Sequence, residues 1–135
     1  MRLLLFFVIA PLAAFAADIN QLVVFGDSLS DNGNAAIAQG GTVPGNYASN
    51  AYTDGPNTTP PTAGPFGLWV DQLAPKLGVS DPTPFLAGGT NYAIASALTG
   101  SNGLDGVSDQ LNYFGASHLG GAPADALYTF WAGAN

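Results

Sequence analysis

The chain has 135 residues, 47% of them hydrophobic and only 8% charged, and its nine acidic residues, all Asp, face only Lys76 and Arg2 for a net charge of −7. That length supports one modest domain with a real core, and that hydrophobicity argues against a disordered polymer. So little positive charge excludes a nucleic-acid binder, and the lack of Cys excludes disulfides and Cys-based metal or redox sites.

Met1-Arg2 is a short positive start, followed by a continuous apolar run from Leu3 to Ile9. Pro11 breaks the segment, and Ala14-Phe15-Ala16 fits a small-x-small cleavage pattern. A membrane-spanning helix needs about 20 apolar residues. The segment is therefore expected to be a signal peptide over 1–16, leaving 17–135 as one mature domain without a stable membrane anchor. The product would be secreted, or periplasmic in a bacterial host.

Leu22-Val23-Val24-Phe25, closed by Gly26, reads as a strand buried on both faces, as in a parallel sheet. Ser28, Ser30, Asp31 and Asn32 follow, all residue types that favour turns and helix starts. From Gly40 to Gly67 the chain is rich in Gly, Pro, Asn, Ser and Thr, with Tyr47, Tyr52 and Phe66 spaced through it. A loop this long is a candidate wall of a substrate cleft, or simply a solvent-exposed wrap. Asn57-Thr58-Thr59 within it matches the N-glycosylation acceptor pattern.

Phe66, Trp69, Val70, Leu73 and Leu77 recur at helical spacing, with Gly78 in place to end the helix. Pro75 should end or kink it just before that position. Ala87 to Ala93 reads as a Gly-rich turn into a very short strand. Gly106 to Phe114 reads as a helix with Val107, Leu111 and Phe114 on one face, and Ala126 to Trp131 as a further strand. This alternation predicts an α/β fold with a parallel sheet covered on both faces.

Ser28 lies directly after the first strand, at the carboxyl edge where open parallel sheets bind ligands. Asn135 and the turn before Asn91 are expected on the same rim. Position alone leaves two readings for Ser28, a nucleophile or a helix cap.

Phe25-Gly26-Asp27-Ser28-Leu29-Ser30-Asp31-Asn32-Gly33-Asn34 resembles the first block of the GDSL lipase/esterase family of the SGNH hydrolase superfamily. Gly89-Thr90-Asn91-Tyr92-Ala93 is similar to the start of the second block, and Phe130-Trp131-Ala132-Gly133-Ala134-Asn135 to the third. The Gly55 to Gly78 region, with Trp69 to Ala74 and Leu77-Gly78, resembles the connecting helix, so the likeness spans nearly everything after 1–16. It implies a three-layer α/β/α, flavodoxin-like fold, incomplete in this chain, and a serine esterase or lipase forming an acyl-enzyme on Ser28. The oxyanion hole would be the Ser28 N–H, a second-block N–H and the Asn135 side chain, with Asp27 as structural support. No metal or organic cofactor is implied. The expected partner is a small-molecule, lipid or acetylated-carbohydrate ester, with the complete protein a monomer.

Two departures stand out. Where the family usually has Gly late in the second block, this chain reads Ala93-Ile94-Ala95-Ser96-Ala97, which makes Ser96 the matching donor and Ala95 the alternative. The Asp-x-x-His block that supplies the base is missing, and Ser is a weak nucleophile without one. His118, the only His, follows Gly115-Ala116-Ser117 and reads as an exposed loop residue. The expectation is a fragment, truncated before that block and without appreciable activity by itself. The other functional reading is a non-catalytic carbohydrate- or surface-binding module on the same fold, motivated by Tyr47, Tyr52 and Phe66 on a polar loop. A nucleotide-binding domain lacks support, since no Gly-x-Gly-x-x-Gly follows the first strand.

Overall fold

Leu22 to Phe25 carry β-branched and aromatic side chains that suit a pleated, fully covered strand. In the computed structural model, which describes residues 18–40, 68–101, 103 and 105–135, they form β1 (Gln21–Gly26). The order along the chain is β1, α1 (Asn34–Ala38), α2 (Trp69–Leu77), a 3₁₀ turn (Phe85–Ala87), α3 (Val107–Ser117) and β2 (Ala126–Trp131). The segment 1–16, the loop with Tyr47, Tyr52 and Phe66, and Asn57 lie outside the described residues.

β1 pairs parallel with β2, from Gln21↔Ala126 to Gly26↔Trp131. Its other edge takes a parallel bridge at Val24↔Asn91. Val24 N–H donates to Thr90 C=O at 3.1 Å, and Tyr92 N–H donates back to Val24 C=O at 2.7 Å. β1 is therefore the central strand. The very short strand expected near Asn91 shrinks to isolated bridges with Val24 and Pro84, because the next rung toward β1 is lost where Gly26 N–H donates to Gln110 Oε1 instead of to the main chain.

Alternate residues of a strand face opposite ways, and β1 buries both sets. Leu22 and Val24 pack with Leu68, Val70, Ala74 and Ala93, joined by Trp69, Leu73 and Leu77 of α2. Val23 and Phe25 pack with Tyr92, joined by Val107, Tyr113 and Phe114 of α3. One helix covers each face, as the three-layer α/β/α reading requires. The fold is an α/β fold with a small parallel sheet, incomplete in this chain.

Two expectations about the helices change. Pro75 does not stop α2, which runs on to Leu77. Gly78, at φ 72°, closes it: Gly78 N–H donates to Pro75 C=O at 3.2 Å and Val79 N–H to Ala74 C=O at 3.1 Å. This pair of bonds satisfies the final carbonyls. At its start, the Asp71 carboxylate accepts the Leu68 N–H at 3.0 Å. On α3, Leu111 is not an inward residue: it is 43% exposed, and Gln110 occupies the fully buried position beside it. No helix among the described residues is long and apolar enough to cross a membrane.

Candidate active site

At the carboxyl end of β1 the chain must leave the sheet with its polar groups satisfied. It does so through a tight turn over Asp27–Ser30. Ser30 and Asp31 N–H both donate to Asp27 C=O, at 3.0 and 3.1 Å, and Leu29 N–H donates to Asp27 Oδ1 at 3.1 Å. Ser28 is half-buried at the tip, between fully buried Asp27 and exposed Leu29. Asp27 Oδ2 is buried and accepts no hydrogen bond among the described residues.

Side chains from two distant segments brace the turn, and Asn34 in turn anchors one of them. The Trp69 indole N–H donates to Ser30 Oγ at 3.0 Å, so this core residue of α2 also steadies the loop. Asn91 Nδ2 donates to Ser30 C=O and to Asn32 Oδ1, each at 2.8 Å. Asn34 Nδ2 reaches Asn91 C=O and Ala93 C=O at 2.7 and 2.9 Å, while Asn34 Oδ1 accepts Leu86 N–H at 3.0 Å. Both Asn residues are fully buried. Buried amides are tolerable only when satisfied in this way.

Asp31 is the hub. Its Oδ1 accepts Gly33 and Asn34 N–H at 2.9 and 2.7 Å, and its Oδ2 accepts Ala35 and Ala95 N–H at 3.1 and 2.8 Å. Three of these amides lie at the start of α1, which the carboxylate caps. Burial pushes the Asp31 carboxyl above its ordinary 3.8, with the four N–H groups pulling the other way.

The Ala95 bond bears on the second block. Ala95 N–H is committed to Asp31, which leaves Ser96 as the N–H candidate there. Ser96 sits in a turn where Ala97 N–H donates to Ile94 C=O, and it holds φ 67°, a left-handed conformation that suits Gly. Asn135 Nδ2 donates to Ala97 C=O at 3.1 Å. Ile94 N–H donates to Gly26 C=O, and Asp27 N–H to Trp131 C=O. The turn bearing Ser28, the turn bearing Ser96 and the segment bearing Asn135 are thus stitched along one strand end.

His118 is elsewhere. It caps the C-terminus of α3, half-buried rather than exposed, with its ring stacked 4.1 Å from Phe114 and Nδ1 2.9 Å from Phe114 C=O. Gln110, in the first turn of α3, contacts Gly26 at the Ser28 end of β1. At 1.5 Å per residue, His118 lies roughly 12 Å further along the axis, toward the opposite rim. It borders a cleft of about 330 Å³ with Phe85, Thr90, Tyr92 and Ser117, remote from the turn. Among the described residues no group of His, Asp or Glu is arranged to hold a metal ion.

Asp31, Asn34 and Asn91 lie inside the blocks quoted for the resemblance, but their bracing roles do not follow from the spacing. Gln110 has a signal in retrospect: it falls at i+3 from Val107 and i−4 from Phe114, a polar residue on an apolar stripe.

The GDSL-like lipase/acylhydrolase family model matches residues 22–135. A protein called Lipase 1, from Photorhabdus luminescens, is 36% identical over 119 residues, which cover 86% of this chain and 15% of that protein. The chain therefore spans only about a seventh of the length of the relative it matches. A match running from the first strand through the last described segment, over a turn built in the way just set out, makes this chain a member of the GDSL-like lipase/acylhydrolase family.

Proposed function

We propose that the protein is a secreted carboxylic-ester hydrolase in which Ser28 Oγ attacks the ester carbonyl and carries the acyl group. One observation supports this reading above the others. The Asn135 side chain and the Ser96 turn share a hydrogen bond at Ala97, beside the strand end that carries Ser28. The Ser28 and Ser96 N–H groups and the Asn135 amide are the donors for the oxyanion that develops as Ser28 adds to the carbonyl. Loss of one such donor costs about 2.7–4 kcal/mol of transition-state stabilisation. Asp27 supports the turn and does not touch the reacting atoms.

His118 is on the wrong rim to take the Ser28 proton, so among the described residues no His stands as the base, and a His base would come from outside these 135 residues. Export rests on the charged start and apolar run of residues 1–16. The test uses the protein expressed from its full reading frame, with short-chain p-nitrophenyl esters and a fluorophosphonate that labels activated serines. Turnover and labelling, both abolished by Ser28→Ala, are expected. The 135-residue chain alone is expected to show no appreciable turnover, and ordinary Ser28-dependent turnover from it would place the base within this chain.

A further inference from the structure

Gln110 is fully buried on α3, yet it belongs to neither apolar cluster and the ester chemistry above does not use it. Its amide faces the last residue of β1. Gln110 Oε1 accepts the Gly26 N–H at 2.9 Å, and Gln110 Nε2 donates to Gly26 C=O at 2.8 Å. The second Nε2 hydrogen goes to Asp105 C=O at 3.0 Å. All its polar hydrogens are used, and two of its three bonds hold one residue of the main chain.

The neighbouring ladder explains why a side chain is needed there. Along this edge of β1, Thr90 C=O, Tyr92 N–H and Ile94 N–H serve Val24 N–H, Val24 C=O and Gly26 C=O in turn. In a regular parallel ladder, Gly26 N–H would then meet the Tyr92 carbonyl. Gln110 Oε1 takes that bond instead. Immediately afterward the second-block segment leaves the sheet: Ala95 N–H goes to Asp31, and Ser96 turns left-handed. Gln110 thus keeps the strand end paired while the segment carrying Ser96 peels away.

The other side of Gly26 is equally confined. A Cβ at Gly26 would lie 2.5 Å from Trp131 C=O, the same carbonyl that accepts Asp27 N–H. Gly26 is clamped between Gln110 and the third block, two residues before Ser28.

We propose that Gln110 is a positioning residue for Ser28, its amide standing in for a missing strand partner and fixing the separation between the Ser28 turn and the Ser96 turn. The proposal rests on Ser28 being the nucleophile. Misplacement of a reacting group by about 1 Å from a remote change costs up to ~100-fold in rate. Gln110→Met keeps the length and removes both bonds. Gln110→Glu keeps the shape but, when ionised, cannot donate to Gly26 C=O.

In the protein expressed from its full reading frame, both variants are expected to lower kcat roughly 10- to 100-fold with KM within about twofold. The rate of Ser28 phosphonylation by a fluorophosphonate should fall in parallel. The ratio of Gln110→Glu to wild-type activity should rise as the pH drops and the introduced carboxyl regains a proton to donate. Folding is checked by circular dichroism melting. Folded variants with kcat and phosphonylation within twofold of wild type overturn the proposal while leaving the ester-hydrolase reading intact. Failure of both variants to fold also overturns it, since the role would then be fold-wide. Absence of Ser28-dependent turnover in the wild type overturns both readings.

Discussion

Asp31 gathers four main-chain N–H groups from two parts of the chain, so its substitution reports on the whole turn. Asp31→Asn puts an amide NH₂ against at least one of those donors and should cost about 1–3 kcal/mol. Its pH dependence has a definite sign. A folded pKa above the unfolded 3.8 means that the folded state holds the proton more tightly. The contribution is fully present below 3.8 and is lost as pH rises through the folded value. The stability gap between wild type and Asp31→Asn should therefore widen as the pH is lowered toward 3.8, as read by urea unfolding at a series of pH values. A gap that narrows instead would show that the four N–H groups outweigh burial. Ser96 gives a second single-residue prediction. Its left-handed backbone costs a non-Gly residue about 1–2 kcal/mol, so Ser96→Gly should raise stability by about that much in the same assay.

Elements with a one-dimensional period are legible in the amino-acid sequence itself. β1, β2 and the stripe Trp69, Val70, Leu73, Leu77 follow from apolar spacing, and their boundaries are nearly as expected. As candidates, Ser28 and Asn135 come from the motif blocks rather than from spacing. Gln110 and Asn34 are not legible in this way. Their burial is decided by main-chain partners 84 and 57 residues away, which no local window contains. Leu111 shows the converse, a hydrophobic residue turned outward because Gln110 claims the inner position. Pro75 is a similar case, since α2 tolerates it near its end because Gly78 closes the last turn. That closure is testable. A Cβ at Gly78 meets nothing within 4 Å, so Gly78→Ala isolates the conformational term. It should destabilise by about 1–2 kcal/mol, measured as a lower midpoint in urea unfolding at unchanged slope.

Across the whole molecule, β1 is covered on both faces, but β2 is covered only in part. Among the described residues nothing pairs with the outer edge of β2, where Phe130 is 57% and Trp131 53% exposed. Exposed edges with apolar side chains template association. The 135-residue chain should sediment as a concentration-dependent mixture at tens of micromolar, and a single monomeric species across that range would contradict this. The pairing of β1 with β2 also has a consequence in time. Asn20 meets Asp125 across 105 residues, so β1 leaves the ribosome well ahead of the strand it pairs with. At about 5–20 residues per second, that interval is roughly 5–20 s. Throughout it the Ser28 turn lacks the Trp131 carbonyl that accepts the Asp27 N–H, so the strand end beneath it is completed only when β2 emerges.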